Sequence, residues 1–151
     1  MPRSEETFAT AQLIRDLYSL CMKRVGRSMA DSGLSHQQAM IVRLLAHGKT
    51  LKVSDLCREM SLTKGTVSGI LARMEEGGLI EKYKEGRDRR NTFVRFTDQG
   101  RLFASGSRGI LADSFDRLFA GFTEEEIQET QDSLSGILAK MKKEDEEWTD
   151  D

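Results

Sequence analysis

The side chains best suited to bind another molecule in this 151-residue chain lie in two clusters between residues 63 and 90. The first cluster occupies one face of a predicted helix and comprises Lys64, Gly65, Thr66, Ser68, Gly69 and Arg73. Hydroxyl and guanidinium groups bind phosphate oxygens and base edges. Each glycine costs a helix about 1 kcal/mol relative to alanine, which favours a face whose backbone approaches DNA closely. An ordinary exposed face, weakened by glycine, is the alternative.

The second cluster is a basic segment that consists of Arg87, Asp88, Arg89 and Arg90. Arginines of a loop can enter the minor groove of DNA, where narrow A·T stretches attract them. We expect Asp88 to pair with Arg87 or Arg90 and to fix the loop without touching DNA. A solvated turn is the alternative, and the position of the cluster after two predicted helices favours DNA.

Apolar spacing predicts the elements that position both clusters. One helical stripe comprises Val53, Leu56, Cys57 and Met60, and the next comprises Val67, Ile70, Leu71 and Met74. The short link Ser61–Thr63 between them is typical of a helix-turn-helix, whose second helix runs from about Thr63 to Glu76. Strand-like alternation over 79–83 and 92–96 then predicts a β-hairpin with a long basic tip from Lys84 to Asn91. Helix, helix, hairpin is the order of a winged helix.

The ends of the chain are predicted to be helical. One helix spans about Ser4 to Met29, a capping box of Ser35 and Gln38 opens a second, and a third runs from Thr97 to Gly121. Thr123 and Glu126 form another capping box, which opens the last helix. The third helix carries the phenylalanines Phe103, Phe115, Phe119 and Phe122.

These terminal helices carry more apolar surface than a small winged helix can cover. A monomeric helical cap is possible, but we expect a homodimer interface, because two-fold dimers are the commonest assembly. The predicted fold is mostly α, with a small β-hairpin wing. Its parts are an N-terminal dimerisation helix (1–33), a winged helix-turn-helix DNA-binding domain (34–100), and C-terminal dimerisation helices with an acidic tail (101–151).

Charge is distributed unevenly along the chain. The net charge is −2, yet residues 34–100 hold 12 Lys and Arg against 8 Asp and Glu, whereas residues 101–151 hold 6 against 13. A basic middle suits a polyanion such as double-stranded DNA.

Other classes of function find no support in the sequence. Metal-ligand spacing is absent, so we expect neither a metal nor a cofactor. The motifs of nucleotide binding and of nucleophilic catalysis are also absent, so we expect no enzyme. Without an apolar run long enough for a membrane span or a signal peptide, a cytoplasmic protein is expected.

Several ordered motifs resemble the MarR family of transcriptional regulators. They are Leu34–Gln38, Val53–Cys57, Gly65–Ser68, Leu71–Ile80, Arg87–Arg90 and Phe96–Gly100. The resemblance implies a dimeric winged helix that binds a pseudo-palindromic operator, usually as a repressor, and is released by a small-molecule ligand or an oxidant. It maps the family's wing arginine and aspartate onto Arg87 and Asp88, and its polar recognition-helix positions onto Thr66 and Ser68.

The chain also departs from the family pattern. Glu85 and Gly86 stand where the wing motif often has Asp and Pro, and Gly69 stands where many members carry an arginine. Base preference therefore does not transfer from the family.

The motifs Gly65–Ser68 and Leu71–Glu75 are similar to those of the MarR-family branch that senses organic hydroperoxides. In that branch the reactive thiol precedes a Leu-Tyr pair. Aligned on Leu17–Tyr18, Ile14 occupies that position here, and Cys21 lies about one turn after the pair. Packing is the favoured role of Cys21 and of Cys57, and Cys21 is kept as a candidate redox sensor. A winged-helix protein-binding module without sequence-specific DNA binding is the alternative function.

Overall fold

The computed structural model describes residues 3–149, with only the backbone described at positions 110, 111 and 147–149. The helices are α1 (Arg3–Ser28), α2 (His36–Gly48), α3 (Val53–Met60), α4 (Lys64–Glu76), α5 (Asp98–Asp116) and α6 (Glu124–Thr149). The strands are β1 (Thr50–Lys52), β2 (Ile80–Glu85) and β3 (Asp88–Phe96), which form an antiparallel sheet in the order β1-β3-β2. The predicted fold class, mostly helical with a small β wing, is confirmed.

The chain divides into two units, Met1–Leu118 and Phe119–Asp151. The first unit holds α1 to α5 and the sheet, and the second holds α6. Within residues 3–149, no helix combines the length and the apolar character that crossing a bilayer requires.

Side-chain caps begin the helices where the sequence predicts them. Ser35 accepts the N–H of Gln38, while the Gln38 side chain accepts the N–H of Ser35, so the predicted capping box is confirmed. Thr123 and Glu126 exchange the same pair of bonds at the start of α6. These contacts satisfy N–H groups that have no partner inside the helix.

The core of the first unit contains the predicted stripe of α4. Val67, Ile70, Leu71 and Met74 are all buried. From α3, Val53 and Leu56 are buried, whereas Cys57 and Met60 are only half-buried. Burying these stripes holds α3 and α4 against the sheet, so the opposite face of α4 must point outwards.

The predicted long basic tip is wrong. β2 continues to Glu85 and β3 begins at Asp88, which leaves only Gly86 and Arg87 in the turn. Gly86 has a φ of +55°, a conformation that glycine adopts without strain. The charged residues beside the turn have the composition of a loop. Their backbones nevertheless pair as strands, which have no apolar face at this end of the hairpin.

Two further elements differ from the predictions. β1 pairs with β3, Leu51 opposite Val94, but three residues are too few to show alternation. α5 ends at Asp116 and a 3-10 turn, Arg117–Phe119, follows it, so the helix predicted to reach Gly121 is shorter. Phe119 and Phe122 consequently lie outside α5, with their ring centroids 5.8 Å apart.

Candidate nucleic-acid interface

The outward face of α4 presents most of the first predicted cluster. Thr63 caps the helix, since its Oγ1 accepts the N–H of Thr66 at 3.3 Å and lies 2.9 Å from the Thr66 hydroxyl. The exposed members of the cluster are Lys64, Gly65, Thr66, Gly69 and Arg73, and Ser68 is half-buried. The structure thus brings the predicted polar groups together on one side of α4.

Gly65 and Gly69 are not required by the packing of the protein. A Cβ atom added at either position would meet nothing within 4 Å, and neither residue has a positive φ. Alanine would therefore fit both positions and make the helix more stable. The two glycines leave the α4 backbone uncovered on its solvent side.

Asp88 holds the wing through main-chain and amide donors, not through the arginine side chains that the sequence suggests. Its Oδ1 accepts the backbone N–H of Arg90 at 3.0 Å, and its Oδ2 accepts the Asn91 side-chain amide at 2.8 Å. These two bonds, that from Asn91 first, lower the pKa of Asp88 below its ordinary value. Asp88 thus holds the tip and bonds to Arg90, as predicted, although the Arg90 group involved is the main-chain N–H.

Replacing Asp88 with asparagine is expected to loosen the wing, because an amide NH2 would face one of the two donors. Hydrogen exchange at the backbone N–H of Arg90 should become faster in Asp88→Asn than in the wild type. Because the folded-state pKa is lowered, the carboxylate stabilises the tip at neutral pH. That stabilisation is lost as the pH falls from about 4 through the lowered pKa. Equal Arg90 exchange rates in the two proteins at neutral pH would contradict this role.

The wing presents three arginine side chains to solvent. Arg87 lies in the turn, and Arg89 and Arg90 lie at the start of β3, all of them exposed. Lys84 braces this strand, since its Nζ donates to the Arg89 carbonyl at 2.8 Å and to Thr92 Oγ1 at 3.3 Å. The arginines therefore project from a hydrogen-bonded hairpin.

A cleft of about 470 Å³ separates α3 and α4 from the wing. Its polar and cationic lining comprises Ser54, Lys64, Ser68, Lys82, Arg90, Asn91 and Thr92, and Cys57 also lies on its wall. Lys64 and Ser68 of the first predicted cluster and Arg90 of the second therefore line the same cleft.

Lys82 lines the cleft but was not among the site residues predicted from the sequence. The two-residue period of β2 could have identified it, because Lys82 shares a face with the buried Ile80 and so points towards α4. The opposite face of the sheet is occupied by internal contacts, with Arg95 paired to Glu81 at 2.7 Å and 4.2 Å above the Tyr83 ring. Arg95 is therefore engaged within the wing.

Cys21, the candidate redox residue, is half-buried on α1. Cys57 is also half-buried and lies in the cleft instead of the closed core. The packing role predicted for Cys57 is thus incomplete, since part of its side chain lines an open space.

The chain is similar to transcriptional regulators of one family. A model of the MarR family matches residues 32–91. The homoprotocatechuate degradative operon repressor of Escherichia coli is 28% identical over 106 residues, which are 70% of this chain and 72% of that protein. The HTH-type transcriptional regulator MgrA of Staphylococcus aureus is 26% identical over 137 residues, with 86% and 87% covered.

Solved structures share the fold. A cysteine-to-serine mutant of Escherichia coli MarR, crystallised with operator DNA, superposes with a TM-score of 0.78 at 16% identity, covering 91% of this chain and 99% of that one. AbsC, a MarR family regulator from Streptomyces coelicolor, superposes with a TM-score of 0.77 at 21% identity, covering 94% and 97%.

Proposed function

We propose that this chain is a MarR-family transcriptional regulator, as its similarity to that family supports, and that it is a repressor that acts as a homodimer on a pseudo-palindromic operator. The observation that carries the proposal is the uncovered, glycine-bearing face of α4 beside a basic, hydrogen-bonded wing. In a helix-turn-helix, such a face enters the major groove. The wing arginines then reach the adjacent minor groove.

Dimerisation is supported by apolar residues that a single chain leaves exposed. On α1 they are 41–69% exposed and comprise Phe8, Leu13, Ile14, Leu17, Tyr18 and Leu20. On α6 they are 38–54% exposed and comprise Ile127, Leu134, Ile137, Leu138 and Met141. Apolar surface of this extent marks an interface. We propose that residues 1–33 and 101–151 pair with a second copy, while residues 34–100 read DNA.

Release by a small-molecule effector is the third part of the proposal. A second cleft, of about 370 Å³, lies among α2, the end of β3 and α5. Leu45 and Phe96 supply apolar walls, and Lys49, Arg101 and Arg108 supply positive charge, which suits an acidic effector. An effector there would act on α5, which leads from the DNA-reading residues 34–100 into the C-terminal helices. If the effector is an oxidant instead, Cys21 is the candidate residue for it to react with. A cytoplasmic location, where the chain would meet DNA, is part of the same proposal.

Selection of duplex DNA from a random pool tests the proposal, with Arg87→Ala run beside the wild type. An inverted repeat with half-sites about 10 base pairs apart is expected, because two heads related by two-fold symmetry contact one face of DNA. Arg87→Ala should bind the selected DNA more weakly. The slope of log K against log salt should fall by about 0.9 for each phosphate charge that Arg87 neutralises.

The matched control is Arg87→Lys, which keeps the positive charge in the turn of the wing. It should leave the salt slope unchanged. No enrichment at low salt from folded wild-type protein would exclude sequence-specific binding and favour the protein-binding module, for which partner capture is the next step.

A further inference from the structure

The cleft between α3, α4 and the wing connects the outward face of α4 with the basic segment of the wing, and Lys64, Ser68 and Arg90 belong both to the cleft and to those clusters. We propose that it seats one phosphate of the DNA backbone, with Lys82 as a contact residue. The inference rests on the proposed function, since the strand must belong to DNA that α4 and the wing already bind.

The charge in the cleft fits a phosphate group. Lys64, Lys82 and Arg90 line it, and none of its lining residues is acidic. Within residues 3–149, none of these three cationic side chains forms an ion pair or a hydrogen bond with another side chain. Three cations without an internal counterion are suited to an anion from outside, and hydroxyl groups on the same walls add further donors.

The walls of the cleft are held before any ligand binds. The backbone N–H of Lys82 donates to Glu75 Oε2 at 3.3 Å, which ties β2 to α4. On the wing side, Lys84 holds Thr92, and Asp88 holds the main chain of Arg90 and the side chain of Asn91. Because these bonds already hold the backbone of both walls, a phosphate that enters has to order only the side chains that contact it.

The position of the cleft indicates DNA backbone and not a base. One wall is α4 and the other is the wing, so a strand that contacts both must cross the mouth of the cleft. The volume of about 470 Å³ lies within the range of roughly 300–1,000 Å³ that small organic ligands occupy, so a phosphate with its sugar fits. Backbone contacts of this kind position a protein on DNA without reading sequence.

The first test compares Lys82→Ala with Lys82→Arg, which keeps the positive charge at the same position of β2. With the selected operator, Lys82→Ala should reduce the salt slope by about 0.9. It should also lower the affinity for operator and for mismatched DNA by the same factor, while Lys82→Arg restores the slope and both affinities. An unchanged slope in Lys82→Ala, with a normal melting temperature, would overturn the proposal.

Cys57 provides a second and independent readout, because its thiol lies on the cleft wall. In a Cys21→Ser background, alkylation of Cys57 by iodoacetamide is followed by mass spectrometry. Operator duplex should slow this alkylation several-fold, whereas inorganic phosphate at the same phosphate concentration should not.

The outcomes separate this inference from the proposed function. If operator binds but Cys57 is alkylated at the rate of free protein, the strand bypasses the cleft and only this inference fails. Equal protection by inorganic phosphate would make the cleft a site for free anions and would overturn the assignment to DNA backbone. If no DNA binds, the inference and the proposed function fail together.

Discussion

Replacing Gly100 with alanine is expected to destabilise the fold by about 3 kcal/mol or more. A Cβ atom at Gly100 would lie 1.8 Å from the carbonyl oxygen of Leu79 and 2.8 Å from its carbonyl carbon. No side-chain rotation relieves this clash, because both partners are backbone atoms. The start of α5 would have to move away from the segment that leads into β2.

That movement would break a local network of hydrogen bonds. The Leu79 carbonyl accepts the N–H of Thr97 at 3.1 Å, and the Leu79 N–H donates to the Met74 carbonyl at 3.0 Å. Thr97 also caps α5 by accepting the N–H of Gly100 at 3.0 Å. The clash therefore disturbs the end of α4, the start of β2 and the cap of α5 together.

Urea and thermal unfolding measure the effect, and the matched control is Gly106→Ala in the same helix. A Cβ atom at Gly106 meets nothing within 4 Å, so alanine there should stabilise the protein by up to about 1 kcal/mol. Gly100→Ala should lower the melting temperature by about 6–12 °C. Equal melting temperatures for the two variants would show that the α5 start is not packed as described.

Replacing Gly69 with alanine is expected to change stability and DNA binding in opposite directions. The free energy of unfolding should rise by about 1 kcal/mol, because alanine is the better helix former and the added methyl group meets no protein atom. Affinity for the selected operator should fall by an amount comparable to one mismatched base pair, about 1–3 kcal/mol, because the methyl group occupies space against the DNA. Chemical unfolding and fluorescence anisotropy on the same preparation measure both.

Gly106→Ala is again the control, since it adds the same methyl group to an open helical position outside α4. It should stabilise the protein to a similar extent, which checks the stability part of the prediction. Wild-type affinity in Gly69→Ala would mean that the α4 backbone does not lie against DNA. The glycines would then belong to an ordinary exposed helix face.

Local signals account for the part of the structure that could be predicted. A capping box joins residues three apart, so Ser35 with Gln38 is legible before any tertiary contact forms. The apolar spacing of α4 identifies its buried side, and by exclusion the outward face that carries Gly69 and Arg73. The basic cluster Arg87–Arg90 can be recognised from its composition alone.

The predictions fail where a contact joins separate elements of the fold, or where charged side chains give no sign that their backbone forms a strand. The extent of β2 and β3 depends on backbone pairing between them, and the polar side chains of the wing do not record that pairing. The hydrogen bonds of Asp88 depend on the hairpin geometry that brings the Arg90 N–H and the Asn91 amide to one carboxylate. β1 exists only because β3 lies beside it.

The order of the helices and of the hairpin, the helix starts and the two clusters suited to DNA can be predicted from local patterns, because helical period, capping and charge are properties of neighbouring residues. It is tertiary packing that brings Lys82 and Cys57 into one cleft with Lys64 and Arg90. Packing also decides that Gly100 has no room for a side chain, whereas Gly69 has ample room. These properties depend on how close separate elements approach each other, and packing sets that distance.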